Sequence, residues 1–138
     1  MKVVIDANRV VAALIKDSTT RKILFDGNFE FVAPDYIKTE IDKYKNIITK
    51  KAEITKNEFD ILLSLIFENI SIIPQNEYNK FIADFKGYLN DPKDLAYIAT
   101  SAATKAQGVW THDLHFKVQG KVKIFTNKDL LEMSNSRT

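Results

Sequence analysis

Apolar and polar positions along the chain follow two periods, one typical of strands and one typical of helices. Short apolar runs predict β-strands at residues 2–6, 29–33, 70–74, 109–111 and 122–125. Between the first four runs, apolar residues return at the spacing of a helical turn, which predicts helices at residues 9–15, 20–26, 35–50, 56–68, 76–89 and 92–106. A last helix is predicted at residues 127–133, with Asn127 as its N-cap.

Helices that separate successive strands are typical of the α/β class, in which crossover connections produce a mostly parallel sheet covered by helices on both faces. The short connection at residues 113–121 leaves a different pairing open for one edge of the sheet. The chain has no internal repeat and no low-complexity linker. Residues 1–133 are therefore predicted to form a single domain, and residues 134–138 a disordered tail.

The composition excludes several kinds of site. With 45% hydrophobic residues and nine phenylalanines, the 138-residue chain can bury a core without a metal or a disulfide. The absence of cysteine excludes a disulfide framework, a thiolate zinc site and a cysteine nucleophile. It also suits a reducing cytoplasm, which is the expected location. No window reaches the roughly 18 apolar residues of a membrane span, so we expect a soluble protein without a membrane partner.

Four carboxylates stand at positions where a charge is unusual. Asp6 and Asp113 follow predicted strands, Asp94 lies at the start of a helix, and Glu40 falls beside the apolar stripe formed by positions 37, 41, 44 and 48. A folded protein rarely places charges there unless they are paired, cap a helix or bind a metal. In parallel sheets, ligands bind beyond the carboxyl ends of the strands. The four acids therefore predict a cation site at that edge.

Each acid also has a plain structural explanation. Asp6 can be the N-cap of the helix that follows, and so can Asn8. Asp91 is a good N-cap because Pro92 suits the first helical position, and Asp94 then takes the place of a capping-box acid. Glu40 can reach water from the flank of its helix. These explanations do not account for four such acids in one chain.

Carboxylate oxygens favour Mg²⁺ or Mn²⁺ over softer ions. His112 and His115 have a spacing that occurs in zinc sites, but the pattern supplies no third ligand. The net charge is +2, and lysines cluster at two places, Lys43, Lys45, Lys50, Lys51 and Lys56 after Glu40, and Lys117, Lys121 and Lys123 after Asp113. Lysines beside a carboxylate site suit a phosphodiester backbone, and an ordinary solvated surface explains them equally well.

These residues together resemble the PIN domain of metal-dependent ribonucleases, a family that includes the toxins of VapBC toxin–antitoxin pairs and RNA-processing nucleases. The resemblance covers nearly the whole chain. It rests on an ordered set of motifs, namely Val4-Ile5-Asp6-Ala7-Asn8, an acid in the helix after the second strand, Asp91-Pro92-Lys93-Asp94 followed by Ala96, Ala99 and Ala102, and Thr111-x-Asp113 before Phe116.

The resemblance implies a three-layer α/β/α fold with a five-stranded sheet of order 3-2-1-4-5, which sets the first strand beside the fourth. It implies that the acidic quartet Asp6, Glu40, Asp94 and Asp113 binds one or two Mg²⁺ or Mn²⁺ ions, supported by Asn8, Asp91 and Thr111. The implied substrate is RNA, and the implied partners are an antitoxin and a second copy of the chain. Arg9 and His112 depart from the family pattern, because smaller residues are common at both positions.

Two other functions remain open. A non-catalytic RNA-binding or scaffold protein of the PIN type would be expected to lack part of the quartet, and all four positions are filled here. A phosphoryl-transfer protein of the haloacid-dehalogenase type needs a second aspartate two residues after Asp6, where Asn8 stands. A response-regulator protein also uses strand-end aspartates.

Self-association is predicted from the helix at residues 56–68. Positions 59, 62, 63, 66 and 67 fill one face, while Ile61 and Leu65 lie towards another. An apolar surface this wide usually has a second partner, which agrees with the homodimers common among PIN domains. The alternative is that the helix at residues 76–89 covers the surplus.

Overall fold

A computed structural model describes residues 1–89, 91–113, 116 and 120–136. His115 and Lys117 lie outside the described residues. The described elements, in chain order, are β1 Lys2–Ile5, α1 Ala7–Leu14, α2 Ser18–Phe25, β2 Glu30–Pro34, α3 Tyr36–Lys43, α4 Lys45–Ala52, α5 Lys56–Phe67, β3 Ile70–Ile73, α6 Gln75–Phe85, α7 Pro92–Thr104, β4 Val109–Trp110, β5 Ile124–Phe125 and α8 Asn127–Asn135.

The five strands form one parallel sheet of order β3-β2-β1-β4-β5, flanked by helices, which confirms the predicted topology. The edge strand β5 also runs parallel, since Val109 pairs with Ile124 and Trp110 with Phe125. The central strand β1 is uniformly apolar from Val3 to Ile5 because both of its faces are buried. The sheet therefore places the ends of β1 and β4 side by side.

The helix predicted at residues 35–50 is two helices, because the backbone breaks at Tyr44. This residue ends α3 and precedes α4, with φ −101° and ψ 7°. Ile37, Ile41 and Ile48 are buried as the apolar stripe predicted, whereas Tyr44 is 44% exposed. The prediction that Tyr44 faces the core was wrong, since the break turns it out of the stripe.

The last helix begins and ends at different residues from those predicted. Its N-cap is Thr126 rather than Asn127, because Thr126 and Asp129 form a reciprocal capping box. The helix continues through Asn135, so the tail predicted from Ser134 does not begin there. Ser134 is buried, and its hydroxyl accepts from Asn28 and donates to Asp26. These bonds fix the last turn of α8 to the loop before β2.

The wide apolar surface of α5 is only partly covered. Phe59 and Ile66 are buried, whereas Ile61 and Leu65 are 54% and 47% exposed. The helix α6 packs mainly on α7 and leaves these two side chains in solvent. The alternative explanation of the surplus, that α6 covers it, is therefore wrong. Among the described helices none combines the length and apolar character needed to cross a membrane.

Candidate functional site

A cleft of about 570 Å³ opens at the carboxyl ends of β1 and β4, and all four predicted carboxylates line it. They come from four parts of the fold, Asp6 after β1, Glu40 in α3, Asp94 in α7 and Asp113 after β4. The register pairs Val4 with Val109 and Ile5 with Trp110, so the segments that carry Asp6 and Asp113 leave the sheet next to each other. The supporting residues Asn8 and Asp91 line the same cleft.

Asp6 is the most enclosed of the four acids. Its side chain is 7% exposed, and its Oδ2 accepts a hydrogen bond from the Thr111 hydroxyl at 2.6 Å. Asp6 occupies the N-cap position of α1 but makes no side-chain capping bond there. The plain explanation of Asp6 as a helix cap is therefore wrong, and so is the alternative that Asn8 caps this helix, since Asn8 lies inside it.

The pKa of Asp6 is raised to about 7. Burial is the main cause, because a low-dielectric surrounding disfavours the charged form, and the negative charges of Glu40 and Asp94 add to it. The hydrogen bond from Thr111 acts in the opposite direction. Crowding of the carboxylates therefore contributes to the raised pKa of Asp6, after burial. At neutral pH the carboxyl group of Asp6 is divided between its two protonation states.

The segment after β4 is fixed to the start of α1 by hydrogen bonds around Thr111. The Thr111 hydroxyl oxygen accepts from the side-chain amide of Asn8 at 3.1 Å and from the backbone N–H of Asp113 at 2.9 Å. The backbone N–H of His112 donates to Asn8 Oδ1 at 3.3 Å. These bonds hold Asp113 at the cleft beside Asp6, with Asn8 and Thr111 as the connecting side chains.

Asp91 and Asp94 lie at the start of α7. Asp91 is its N-cap, because Oδ1 accepts from the backbone N–H of Lys93 at 2.9 Å, and Pro92 occupies the first turn as predicted. Asp94, one turn further along, lines the cleft and is close enough to Asp6 for its charge to raise the pKa of that residue. The capping explanation is therefore confirmed for Asp91, while Asp94 faces the other acids.

A comparison with protein families matches residues 4–134 to the PIN domain. The chain belongs to the PIN domain family. It is also similar in structure to a chain in the crystal structure of VapBC2 from Rickettsia felis bound to a DNA fragment from their promoter, with a TM-score of 0.71 and 16% sequence identity, over 91% of this chain and 98% of that one. At this identity the likeness shows a shared fold. A comparison with curated protein sequences found no match.

PIN domains are nucleases that include toxins of toxin–antitoxin pairs, and this membership removes the haloacid-dehalogenase and response-regulator interpretations.

In this PIN domain, Tyr97 is a site residue that the sequence analysis missed. Its hydroxyl donates to Glu40 Oε1 at 2.7 Å, and the ring is buried in α7. Burial and the charges of Asp6 and Glu40 raise the pKa of Tyr97, so it stays a proton donor. The sequence signal that could have identified Tyr97 is its spacing from Asp94. Residues three apart lie on the same face of a helix, and Tyr97 follows Asp94 by three.

The cationic residues of this PIN domain are distributed differently from the prediction. Lys51 and Lys93 line the cleft. Lys45, which the sequence pattern groups with Lys51, instead forms an ion pair with Asp60 at 2.8 Å and lies over the ring of Phe59. Lys93 was not singled out from the sequence, although it stands directly before Asp94. Two lysines therefore border the acids, one from α4 and one from α7.

The donor set of the cleft suits a hard divalent cation better than zinc. Its side chains offer carboxylate oxygens, whereas His112 is exposed and His115 lies outside the described residues. Partial desolvation of the imidazole ring and the nearby positive charge of Arg9 lower the pKa of His112. Over the described part of the chain, no three His, Asp or Glu side chains converge closely enough to form a metal site. The acids thus line one cleft without a closed coordination shell.

Proposed function

We propose that this PIN domain is a metal-dependent ribonuclease that hydrolyses RNA phosphodiester bonds in the cleft of Asp6, Glu40, Asp94 and Asp113. One observation carries the proposal: four separate elements deliver four acids to one cleft at the carboxyl ends of β1 and β4. Nothing in the fold alone requires acids at these places, and their mutual repulsion has a cost that a bound cation would offset.

Asp6 and Asp113 would hold the ion most directly, and Asp94 and Glu40 would complete its shell, directly or through water. A bound Mg²⁺ or Mn²⁺ would supply Lewis-acid activation of a water molecule and of the scissile phosphoryl group, and a second ion would supply stabilisation of the leaving oxygen. Thr111 orients Asp6 from one side, and Tyr97 orients Glu40.

Ion binding at this cleft requires the proton of Asp6 to leave. With the pKa of Asp6 raised to about 7, the free site is partly protonated at neutral pH, and the cation competes with that proton. Affinity for Mn²⁺ should therefore rise between pH 6 and pH 8. Calorimetry in two buffers of different ionisation enthalpy measures the released proton directly, and a proton count near zero at pH 6.5 would contradict this assignment of Asp6.

The apolar part of the cleft lining suits an unpaired nucleotide. Val11, Ile15, Tyr44 and Ile47 form it, and Tyr44 and Ile47 are 44% and 53% exposed. A phosphodiester group offers nothing apolar, whereas a nucleobase can stack on an aromatic ring. Lys51 and Lys93 would contact the backbone without reading its sequence. A single-stranded RNA is therefore the proposed substrate.

Cleavage of a generic single-stranded RNA in Mn²⁺, compared with the same reaction in EDTA, tests the proposal. We expect cleavage in Mn²⁺ only, and its loss in Asp6→Asn. Binding without cleavage would instead support a non-catalytic RNA-binding PIN domain. Tyr44→Ala should raise the KM, with Tyr44→Phe as the matched control that keeps the ring.

We further propose that the protein acts as the toxin of a toxin–antitoxin pair. The support is the structural likeness to a chain of the VapBC2 complex, together with family membership. Expression of the chain alone should arrest growth of a bacterial host, and Asp6→Asn should not. Co-expression of a small protein encoded next to it should relieve the arrest and copurify with the chain. Growth unaffected by the active nuclease would favour a stand-alone RNA-processing enzyme.

A second copy of the chain is the proposed partner of the exposed face of α5. Ile61 and Leu65 project from this helix at 54% and 47% exposure, on the side away from the buried Phe59 and Ile66. Pairing through this face would cover both side chains in each copy. It leaves the acidic cleft open, because none of these four residues lines it.

A further inference from the structure

Arg9 is a buried cation that the proposed chemistry does not use. Its side chain is 6% exposed, in the first turns of α1, and burial lowers its pKa. Its described partners are neutral oxygens: Nε donates to Asn8 Oδ1 at 3.0 Å, and Nη1 donates to Thr20 Oγ1 at 3.3 Å and to Asn127 Oδ1 at 3.4 Å. The negative charges of Asp17 and Asp6 act on the guanidinium, but they do not outweigh the effect of its burial. A buried charge whose described hydrogen-bond partners are all neutral is costly, so its presence calls for a reason.

In the series of hydrogen bonds that begins at Arg9, the donor and the acceptor of each bond are fixed. A guanidinium has donors and no acceptor, so the atom of Asn8 that faces it must be the amide oxygen. The amide nitrogen of Asn8 then faces Thr111 and donates to its hydroxyl oxygen at 3.1 Å. Arg9 and the backbone N–H of His112, which donates to the same oxygen at 3.3 Å, together remove the usual ambiguity of an Asn side chain.

The same order of donor and acceptor continues from Thr111 to the acids. The hydroxyl oxygen of Thr111 accepts from Asn8 and from the backbone N–H of Asp113, at 3.1 and 2.9 Å, which occupies both of its lone pairs. Its single hydrogen is therefore directed to Asp6 Oδ2, at 2.6 Å. Arg9 thus contributes, through the side chain of Asn8, to how Asp6 and the backbone of Asp113 are held, although it touches neither residue in the described contacts.

We propose that Arg9 is a positioning residue for the acidic cleft, acting through Asn8 and Thr111 on Asp6 and Asp113. The guanidinium is itself fixed from the far side. Thr20 in α2 is fully buried, and Asn127 in α8 accepts from both Arg9 and the indole N–H of Trp110, at 3.4 and 2.8 Å. Two helices that do not reach the cleft therefore hold its geometry. The catalytic consequence of this inference rests on the proposed ribonuclease function.

Two substitutions interrupt the connection at different points. Arg9→Met keeps the apolar stem and removes every donor. Asn8→Asp still accepts from Arg9, now as an ion pair, but has no hydrogen for Thr111. We expect both variants to lose about tenfold or more in kcat with KM changed by no more than about twofold, since the defect is in orientation and not in substrate binding.

The matched control is Arg21→Met, because Arg21 lies in the neighbouring helix α2 and its Nε donates to the backbone oxygen of Ala13, away from the cleft. Its kcat should equal that of the wild type. If Arg9→Met does not fold, the kcat of Asn8→Asp decides, because this variant retains the contact between residue 8 and Arg9. Wild-type kcat in folded Arg9→Met or in Asn8→Asp would overturn the inference.

A readout without cleavage separates this inference from the proposed function. In ¹⁵N-labelled protein, the side-chain amide of Asn8 should give two resolved hydrogens that exchange slowly with water. In Arg9→Met they should exchange rapidly, while Arg21→Met leaves them unchanged. If the wild type cleaves no RNA, the proposed function fails and the amide signals alone decide the role of Arg9. An unchanged Asn8 amide in Arg9→Met would then refute it.

Discussion

Replacing Asp6 by Asn should remove activity and stabilise the metal-free fold at the same time. The carboxyl group is 7% exposed, and its pKa rises from 3.8 to about 7 on folding. Ionising it in the folded protein is therefore unfavourable. An amide of nearly the same shape can still accept from Thr111, and its nitrogen carries hydrogens that suit the negative charges of Glu40 and Asp94. The variant therefore loses a proposed metal ligand and a source of electrostatic repulsion together.

The size of the effect follows from the pKa. Each pKa unit corresponds to about 1.4 kcal/mol, so ionised Asp6 opposes folding by up to about 4 kcal/mol above pH 7. Because folding raises the pKa of Asp6, the proton on its carboxyl group stabilises the folded protein. This stabilisation is complete below pH 4 and is lost as the pH rises through 7. Between pH 5 and pH 8, the advantage of Asp6→Asn over the wild type should grow by about 2.5 kcal/mol at most.

Urea unfolding at pH 5 and pH 8, in EDTA, measures this difference. Asp42→Asn is the matched control, because Asp42 is an exposed acid in the same helix as Glu40. Asp42→Asn gives the baseline for removing an exposed acid, against which the pH dependence of the Asp6→Asn difference is compared. If the Asp6→Asn advantage were equal at pH 5 and pH 8, or if this variant were the less stable protein at pH 8, the assignment of a raised pKa to Asp6 would be refuted.

Three further predictions test the cleft and the α5 surface. Millimolar Mn²⁺ should raise the melting temperature of the wild type, and less so that of Asp94→Asn or Asp113→Asn, because the ion binds only the folded acids; an unchanged melting curve would contradict a cation site. Tyr97→Phe should lower kcat several-fold with little change in stability, since Glu40 loses its hydrogen-bond donor. A kcat equal to that of the wild type would show that the Tyr97 hydroxyl does not support Glu40. Light scattering should report about twice 15.8 kDa, and Leu65→Lys should reduce it to the monomer; a monomeric wild type would refute pairing through α5.

The sheet and the meeting of the four acids could be predicted because both depend on local patterns. A strand buried on both faces must be apolar throughout, so β1 was visible as Val3-Val4-Ile5. Strand ends in a parallel sheet lie at one edge, which brought Asp6 and Asp113 together. The Asp91 cap was readable from Pro92, because proline is suited to the first turn of a helix.

Other features could not be predicted because contacts distant in sequence decide them. The apolar spacing around Tyr44 fits one continuous helix as well as two, and the break depends on how α4 packs against α1 and α5. The N-cap of α8 could be Thr126 or Asn127 by residue type. Asn127 is instead engaged by Arg9 and the indole of Trp110, which leaves capping to Thr126. The partner of Glu40 is 57 positions away in sequence.

The arrangement of Asp6 and Arg9 suggests why the site tolerates two unfavourable groups at once. Both are buried and lie within one turn of each other in sequence, so a direct ion pair between them would satisfy both. Such a pair would neutralise Asp6 and compete with any cation for its oxygens. Asn8 and Thr111 stand between them instead, and pass on orientation through neutral groups. Asp6 therefore keeps its raised pKa. In the proposed mechanism its oxygens then stay available to a divalent ion, while Arg9 positions Asp6 through Asn8 and Thr111.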